Sequence, residues 1–174
     1  MKTFQNLSDG QSIDVLICFT DIVGFTRVAE SMDESEVVAM LKNVAQNAAE
    51  VIGPSPGIII KYIGDAMLAM FPDECVDEGV NTMLALKEKQ DRFFASMKLD
   101  LRITYAAHVG PVTTVLLPPI DNLDIAGRSV NTAASLERGR GGQFIISTQV
   151  FRKLRPETRK RFHKFTPPIV YLAS

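Results

Sequence analysis

Cysteine is scarce in this chain of 174 residues: Cys18 lies in an apolar, strand-like run and Cys75 in a helical one. Two thiols exclude a disulfide framework and suit a reducing compartment. No apolar run approaches the roughly 20 residues of a bilayer-spanning helix. The opening residues 1–12 hold one Lys and then polar side chains, with no hydrophobic region of a signal peptide. A cytoplasmic location with no membrane partner in this chain is therefore expected. Net charge is nearly absent as well. Nineteen basic against twenty acidic residues leave −1, so bulk charge proposes neither a nucleic-acid nor a membrane partner. Repeats, linkers and low-complexity segments are missing. With 46% hydrophobic and 22% charged residues, disorder and collagen-like repeats are excluded, and 1–174 reads as a single domain.

Charge is nevertheless segregated along the chain. Residues 1–50 hold eight acids against Lys2, Arg27 and Lys42, whereas 152–164 hold seven bases against Glu157. Two solvated faces of opposite sign would explain this. Self-association, with the acidic part of one copy facing the basic part of another, would also do so. The basic stretch has too few interleaved aromatics for a nucleic-acid surface.

Apolar periodicity places the elements. Ile13, Val15, Ile17 and Phe19 alternate through 13–20, predicting a central strand. Val37, Leu41, Val44, Ala48 and Val51 recur at helical steps after Asp33, a fitting N-cap with Glu36 three residues on. Pro54 and Pro56 end that helix. Runs 58–62 and 66–71 around Gly64-Asp65 predict a hairpin, and a second helix opens after Pro72-Asp73. Segments 102–109 and 112–117 read as two strands separated by Gly110-Pro111, followed by a helix over roughly 129–138 that ends at Gly139. Strands at 144–146, 161–165 and 169–172 complete the chain. The order implies an α+β fold: a ferredoxin-like β-α-β-β-α-β core with extra strands and a helix, its sheet mostly antiparallel.

Chemistry-bearing residues punctuate this frame. Asp21 follows the first strand just before Gly24, where a carboxylate can meet a cation, although turn formers occupy such places too. Asp65 belongs to an ordinary Gly-Asp turn. Lys61 interrupts an isoleucine run, a costly place for an unpaired buried ammonium and a tolerable one on an edge strand. His108 reads as a core or hairpin histidine, and His163 as no metal ligand.

Three stretches together resemble the signatures of class III nucleotidyl cyclase catalytic domains, in that family's order and spacing. They are Phe19-Thr20-Asp21-Ile22-Val23-Gly24-Phe25-Thr26, the run from Ile60 through Lys61, Gly64 and Asp65 to Phe71, and the run from Asp124 through Gly127, Arg128 and Asn131 to Glu137. The resemblance implies that Asp21 and Asp65, with the backbone carbonyl of Ile22, hold two Mg²⁺ or Mn²⁺ ions per site. Lys61 and Asp124 match the base-reading pair in its adenine-reading combination, and Asn131 matches the ribose-orienting asparagine. It further implies ATP as substrate and a homodimer whose composite sites lie at the interface. Hard divalent ions favour carboxylate oxygens, and guanine would leave the Lys/Asp pair unmatched.

Two departures stand out. Ser135 occupies the place of the arginine that stabilises phosphate charge in the family's transition state; Arg138 is a possible substitute. Thr113–Pro119 contains no glycine where the family carries a glycine-bearing strand pair, and Lys164 matches the C-terminal phosphate-contacting lysine only loosely. The expected function is thus an adenylate cyclase with impaired activity. The alternative is a catalytically inactive pseudo-cyclase serving as a nucleotide-binding, dimerising module.

Overall fold

The sheet is organised around β1 (Ser12–Val23), whose apolar residues suit neither face to water. Val15, Leu16, Ile17 and Cys18 are fully buried in the computed structural model, which describes residues 4, 7–119, 121–136, 141–166 and 168–174. Alternation divides them between two cores: Leu16 and Cys18 face one, Val15, Ile17 and Phe19 the other. Each fully buried large side chain contributes about 1.5–3 kcal/mol.

After β1 come α1 (Phe25–Ala29) and α2 (Glu34–Ile52). Asp33 caps α2 as expected: its amide donates to Glu36 Oε2 at 3.1 Å, and the Glu36 amide donates back to the Asp33 carbonyl at 2.9 Å. The hairpin strands are β2 (Ile58–Ile63) and β3 (Ala66–Pro72). A short 3₁₀ turn then leads into α3 (Val76–Ser96) and β4 (Arg102–Leu117). β5 (Asn122–Ala126) and α4 (Arg128–Leu136) follow, then β6 (Phe144–Ser147). The chain closes with α5 (Thr148–Lys153), α6 (Pro156–Arg159), β7 (Phe162–Phe165) and β8 (Val170–Ala173).

Strand order is β2-β3-β1-β4-β6-β8-β7, with β5 paired to β4. The first four strands have the ferredoxin-like arrangement, and only the β4–β6 pairing is parallel among those described. The α+β class and mostly antiparallel sheet are therefore as expected. Residues of α2, α3 and α5 pack into one core, and Ala133 and Leu136 of α4 into the other.

Several local expectations need correction. β1 runs to Val23, so Asp21 sits inside the strand, opposite Thr104, and does not merely follow it. Segments 102–109 and 112–117 form one continuous strand of 16 residues. Pro111 is tolerated there because it falls between the end of the β6 pairing at Ala107 and the start of the β5 pairing at Thr113, where a missing N–H is harmless. Gly110 is likewise no turn residue: a Cβ added there would lie 2.5 Å from Ser129 Oγ, so glycine lets α4 approach the sheet. β5, α5 and α6 were not anticipated by the periodicity. The expected helix end at Arg138-Gly139 lies outside the described residues.

The basic C-terminal stretch also finds partners within its own chain. Lys153 pairs with Asp73 at 2.5 Å, Arg155 with Asp77 at 3.7 Å and Arg161 with Glu88 at 2.9 Å. Charge segregation in the sequence is thus partly neutralised in the fold, which weakens it as a reason for self-association.

Gly110→Ala is expected to destabilise the fold by about 1–3 kcal/mol through overpacking against α4. Ser129→Ala in the same chain should recover part of the loss by removing Oγ, and denaturant unfolding of the single and double variants measures both.

Candidate active site

Asp21 and Asp65 are brought together by adjacent strands. Antiparallel pairing sets Thr20 of β1 opposite Met67 of β3, so the end of β1 and the hairpin turn lie side by side. Gly64, at φ 63°, takes the left-handed conformation that the turn needs immediately before Asp65. Burial raises the pKa of the half-buried Asp21 carboxyl from its ordinary value, and the charge of Asp65 adds to the shift. Two carboxylates that repel each other at a partly desolvated strand end form a donor set suited to a hard divalent cation. Ile22 is buried beside them and paired with Ile103, its side chain in the core. Among the described residues no cluster of three or more His, Cys, Asp or Glu side chains is arranged for a metal. Any ion between these aspartates would need backbone, water or phosphate oxygens to complete its shell.

Lys61 of hairpin strand β2 and Asp124 of β5 also meet. Lys61 Nζ lies 2.5 Å from Asp124 Oδ2, while the Ile125 amide donates to Asp124 Oδ1 at 2.8 Å. A register irregularity between Ile59 and Lys61 re-aims the lysine, as bulges do. The pair is incompletely buried, with side-chain exposures of 40% and 16%. The question of an unpaired ammonium therefore does not arise. Beside the pair opens a cavity of about 460 Å³, bounded by Ile60, Leu117, Pro118, Asn122 and Leu123. That volume falls in the range of small-molecule sites.

Asn131 and Ser135 are exposed on α4, four residues apart and so on one face. The Ser135 hydroxyl donates to the Thr132 carbonyl at 2.8 Å, folded back on its own helix. Arg138 lies outside the described residues. Lys164 is exposed on β7, at the opposite sheet edge from β2. Among the described residues, no hydrogen bond or ion pair joins Asp21 or Asp65 to Lys61, Asp124 or Asn131.

His108 is buried as expected, its Nδ1 3.0 Å from Ser147 Oγ, and burial lowers its pKa. Asn122 and Leu123, which line the cavity beside Lys61, escaped sequence reasoning because β5 did. The usable signal was Leu123 and Ile125 alternating around Asp124 between turn residues.

An open α+β sheet with paired carboxylates at one strand end and a Lys–Asp pair beside a cavity agrees with the nucleotidyl cyclase signatures. The chain belongs to the family of adenylate and guanylate cyclase catalytic domains, whose model matches residues 8–168. It is similar to an adenylate cyclase of Anabaena cylindrica, 26% identical over 79% of this chain and 30% of the relative. A germination-specific adenylate cyclase of Dictyostelium discoideum is 31% identical over 81% of this chain and 18% of the relative. The chain thus spans under a third of either protein. In fold it resembles the adenylyl cyclase CyaB from P. aeruginosa, at a TM-score of 0.81 and 19% identity, covering 96% of each chain.

A carboxyl whose pKa is raised by folding costs stability as pH rises through the carboxylate range, because the native state then binds more protons than the unfolded chain. Asp65→Asn removes one source of that shift at Asp21. The variant should therefore lose less stability than the parent between about pH 4 and pH 7, read by denaturant unfolding. Mn²⁺ is further expected to raise the thermal midpoint of the parent and not that of the variant.

Proposed function

We propose that this domain is an adenylate cyclase, converting ATP to 3′,5′-cyclic AMP and pyrophosphate at a site shared by two copies of the chain. The observation that carries this reading is the Lys61–Asp124 pair beside its 460 Å³ cavity. A donor and an acceptor held side by side match the ring nitrogen and exocyclic amine of adenine, and oppose the reversed polarity of guanine. The adenylate cyclase names of the Anabaena and Dictyostelium relatives agree with it.

In the proposed reaction the ribose 3′-oxygen attacks the α-phosphorus in line, and the bond to the β-phosphate oxygen breaks to release pyrophosphate. Lys61 and Asp124 exchange their mutual ion pair for contacts with the base, which orients the nucleotide. Asn131 of the same copy holds the ribose so that its 3′-oxygen faces phosphorus. Asp21 and Asp65 of the other copy, with the Ile22 carbonyl, would hold two Mg²⁺ or Mn²⁺ ions. Such ions lower the pKa of the attacking hydroxyl and neutralise the triphosphate. Lys164 is the proposed C-terminal phosphate contact.

Transition-state charge is where the site is weak. The Ser135 hydroxyl bonds its own helix and brings no positive charge. Loss of a positioned donor typically slows catalysis by about 10²–10³-fold, and Arg138 is proposed to compensate only in part. This same observation favours a second reading, an inactive nucleotide-binding module that dimerises and regulates.

Incubating the purified chain with ATP or GTP and Mn²⁺ tests the reading. Cyclic AMP should form in preference to cyclic GMP. Lys61→Glu combined with Asp124→Ser should weaken ATP binding at least about tenfold, from lost pairings of roughly 1–3 kcal/mol each. ATP binding without any cyclic product would leave the regulatory module as the correct description.

Ser135→Arg is expected to raise turnover at least about tenfold with little change in ATP affinity, because the contact strengthens as phosphate charge develops. Steady-state kinetics separates the two parameters. Flat turnover in Ser135→Arg, together with loss of activity in Arg138→Ala, would place the whole role on Arg138.

A further inference from the structure

A second cavity, of about 90 Å³, lies between α2, α3 and the sheet. Val44, Ala45 and Ala48 of α2 form its apolar wall, Tyr105 lines it from β4, and Gly64 and Asp65 meet it from the hairpin turn. The Tyr62 hydroxyl donates to the Ala45 carbonyl at 3.4 Å, tying the hairpin to α2 beside the opening.

Tyr105 is the unusual member of this wall. It is 1% exposed, and among the described residues its hydroxyl is the buried side-chain polar atom without a hydrogen-bond partner. An orphaned buried donor is costly and rare, and calls for an acceptor. Gln90, also in the wall, is not available: its Nε2 donates to the Val44 carbonyl at 2.9 Å and its Oε1 accepts from Asn47 at 3.3 Å. Burial and the charge of Asp91 both keep the Tyr105 phenol protonated, and hence a donor.

The chemistry of the occupant follows from the wall. The polar members of the wall, Thr20, Tyr62, Asp65, Gln90 and Tyr105, lie on the sheet, hairpin and α3 sides. Filling such a volume with about three waters would therefore leave the whole α2 wall against water without a polar partner. An anion would face Asp65 at the opening. A neutral molecule with an apolar body and one acceptor oxygen satisfies both the α2 wall and Tyr105. An apolar protein cavity of about 150 Å³ accommodates benzene, so 90 Å³ takes roughly four heavy atoms, with room for more toward the opening.

We propose that this cavity binds a small neutral carbonyl compound of about four to six heavy atoms, its oxygen accepting a hydrogen bond from Tyr105 and its carbons packing on α2. Occupancy holds the Gly64-Asp65 turn in place, linking a site within each copy to the carboxylate pair. The binding itself does not depend on which nucleotide the domain uses.

Cyclopentanone and its oxygen-free isostere methylenecyclopentane are suitable probes, followed through backbone amide chemical shifts of the full chain. Cyclopentanone should give saturable shifts at Gly64, Asp65 and Tyr105, and bind about tenfold more tightly than the isostere. Tyr105→Phe should bind the two alike, and its unliganded thermal midpoint should not fall, since the orphaned donor is gone. Ala48→Leu, which fills the cavity, should abolish the shifts. Absence of saturable shifts in the parent, equal binding of both probes, or unchanged discrimination in Tyr105→Phe would each overturn the proposal.

Discussion

The antiparallel ladder between β1 and β4 is the constraint on which the rest of the domain depends. Twelve consecutive residues of β1, from Ser12 to Val23, are in register with β4, and β3 pairs along the other side. A strand held on both edges and buried on both faces has no freedom to slip, because a shift by one residue would exchange Leu16 and Cys18 with Val15 and Ile17 between two different cores. Asp21 is thereby delivered to a fixed place at the end of the most constrained element. Strand β3, in register with the same β1, brings the turn carrying Asp65 to it. The repulsion between the two carboxylates is sustained by this rigidity.

The second pair of polar residues is built on different physics. Lys61 lies on the edge strand β2 and Asp124 on β5, whose described strand pairing is with β4. Their mutual contact neutralises both charges beside an open cavity, so the resting site is already satisfied. A ligand must offer at least as good a donor and acceptor before it displaces such a contact, which makes a self-paired site selective by polarity. The surface ion pairs of Lys153, Arg155 and Arg161 contribute little to either task, since each is partly exposed.

The proposed phosphate-handling side of the site lies on α4, where Ser135 brings no positive charge. The Ser135 hydroxyl instead bonds back to the Thr132 carbonyl of its own helix. Gly110 shows the opposite economy: it carries no chemistry, yet it sets how closely α4, and with it Asn131, approaches the sheet.

The sequence by itself determined the α+β class, the capped helix after Asp33, the hairpin around Gly64 and the family, because each rests on local periodicity, turn chemistry or contiguous motifs. Asp21, Lys61, Asp65, Asp124 and Asn131 were legible as candidates for the same reason. Tertiary structure alone decided that 102–117 is one strand, since whether Gly110-Pro111 bends or continues depends on which neighbours pair on either side. It alone added β5 and the cavity beside it, a strand of five residues whose stability comes from β4 and not from its own pattern. It alone showed the basic C-terminal stretch meeting Asp73, Asp77 and Glu88, and left the Tyr105 hydroxyl buried without a partner among the described residues. Contacts between residues far apart in the chain leave no periodic trace, and pairing, burial and charge neutralisation across the sheet are of that kind.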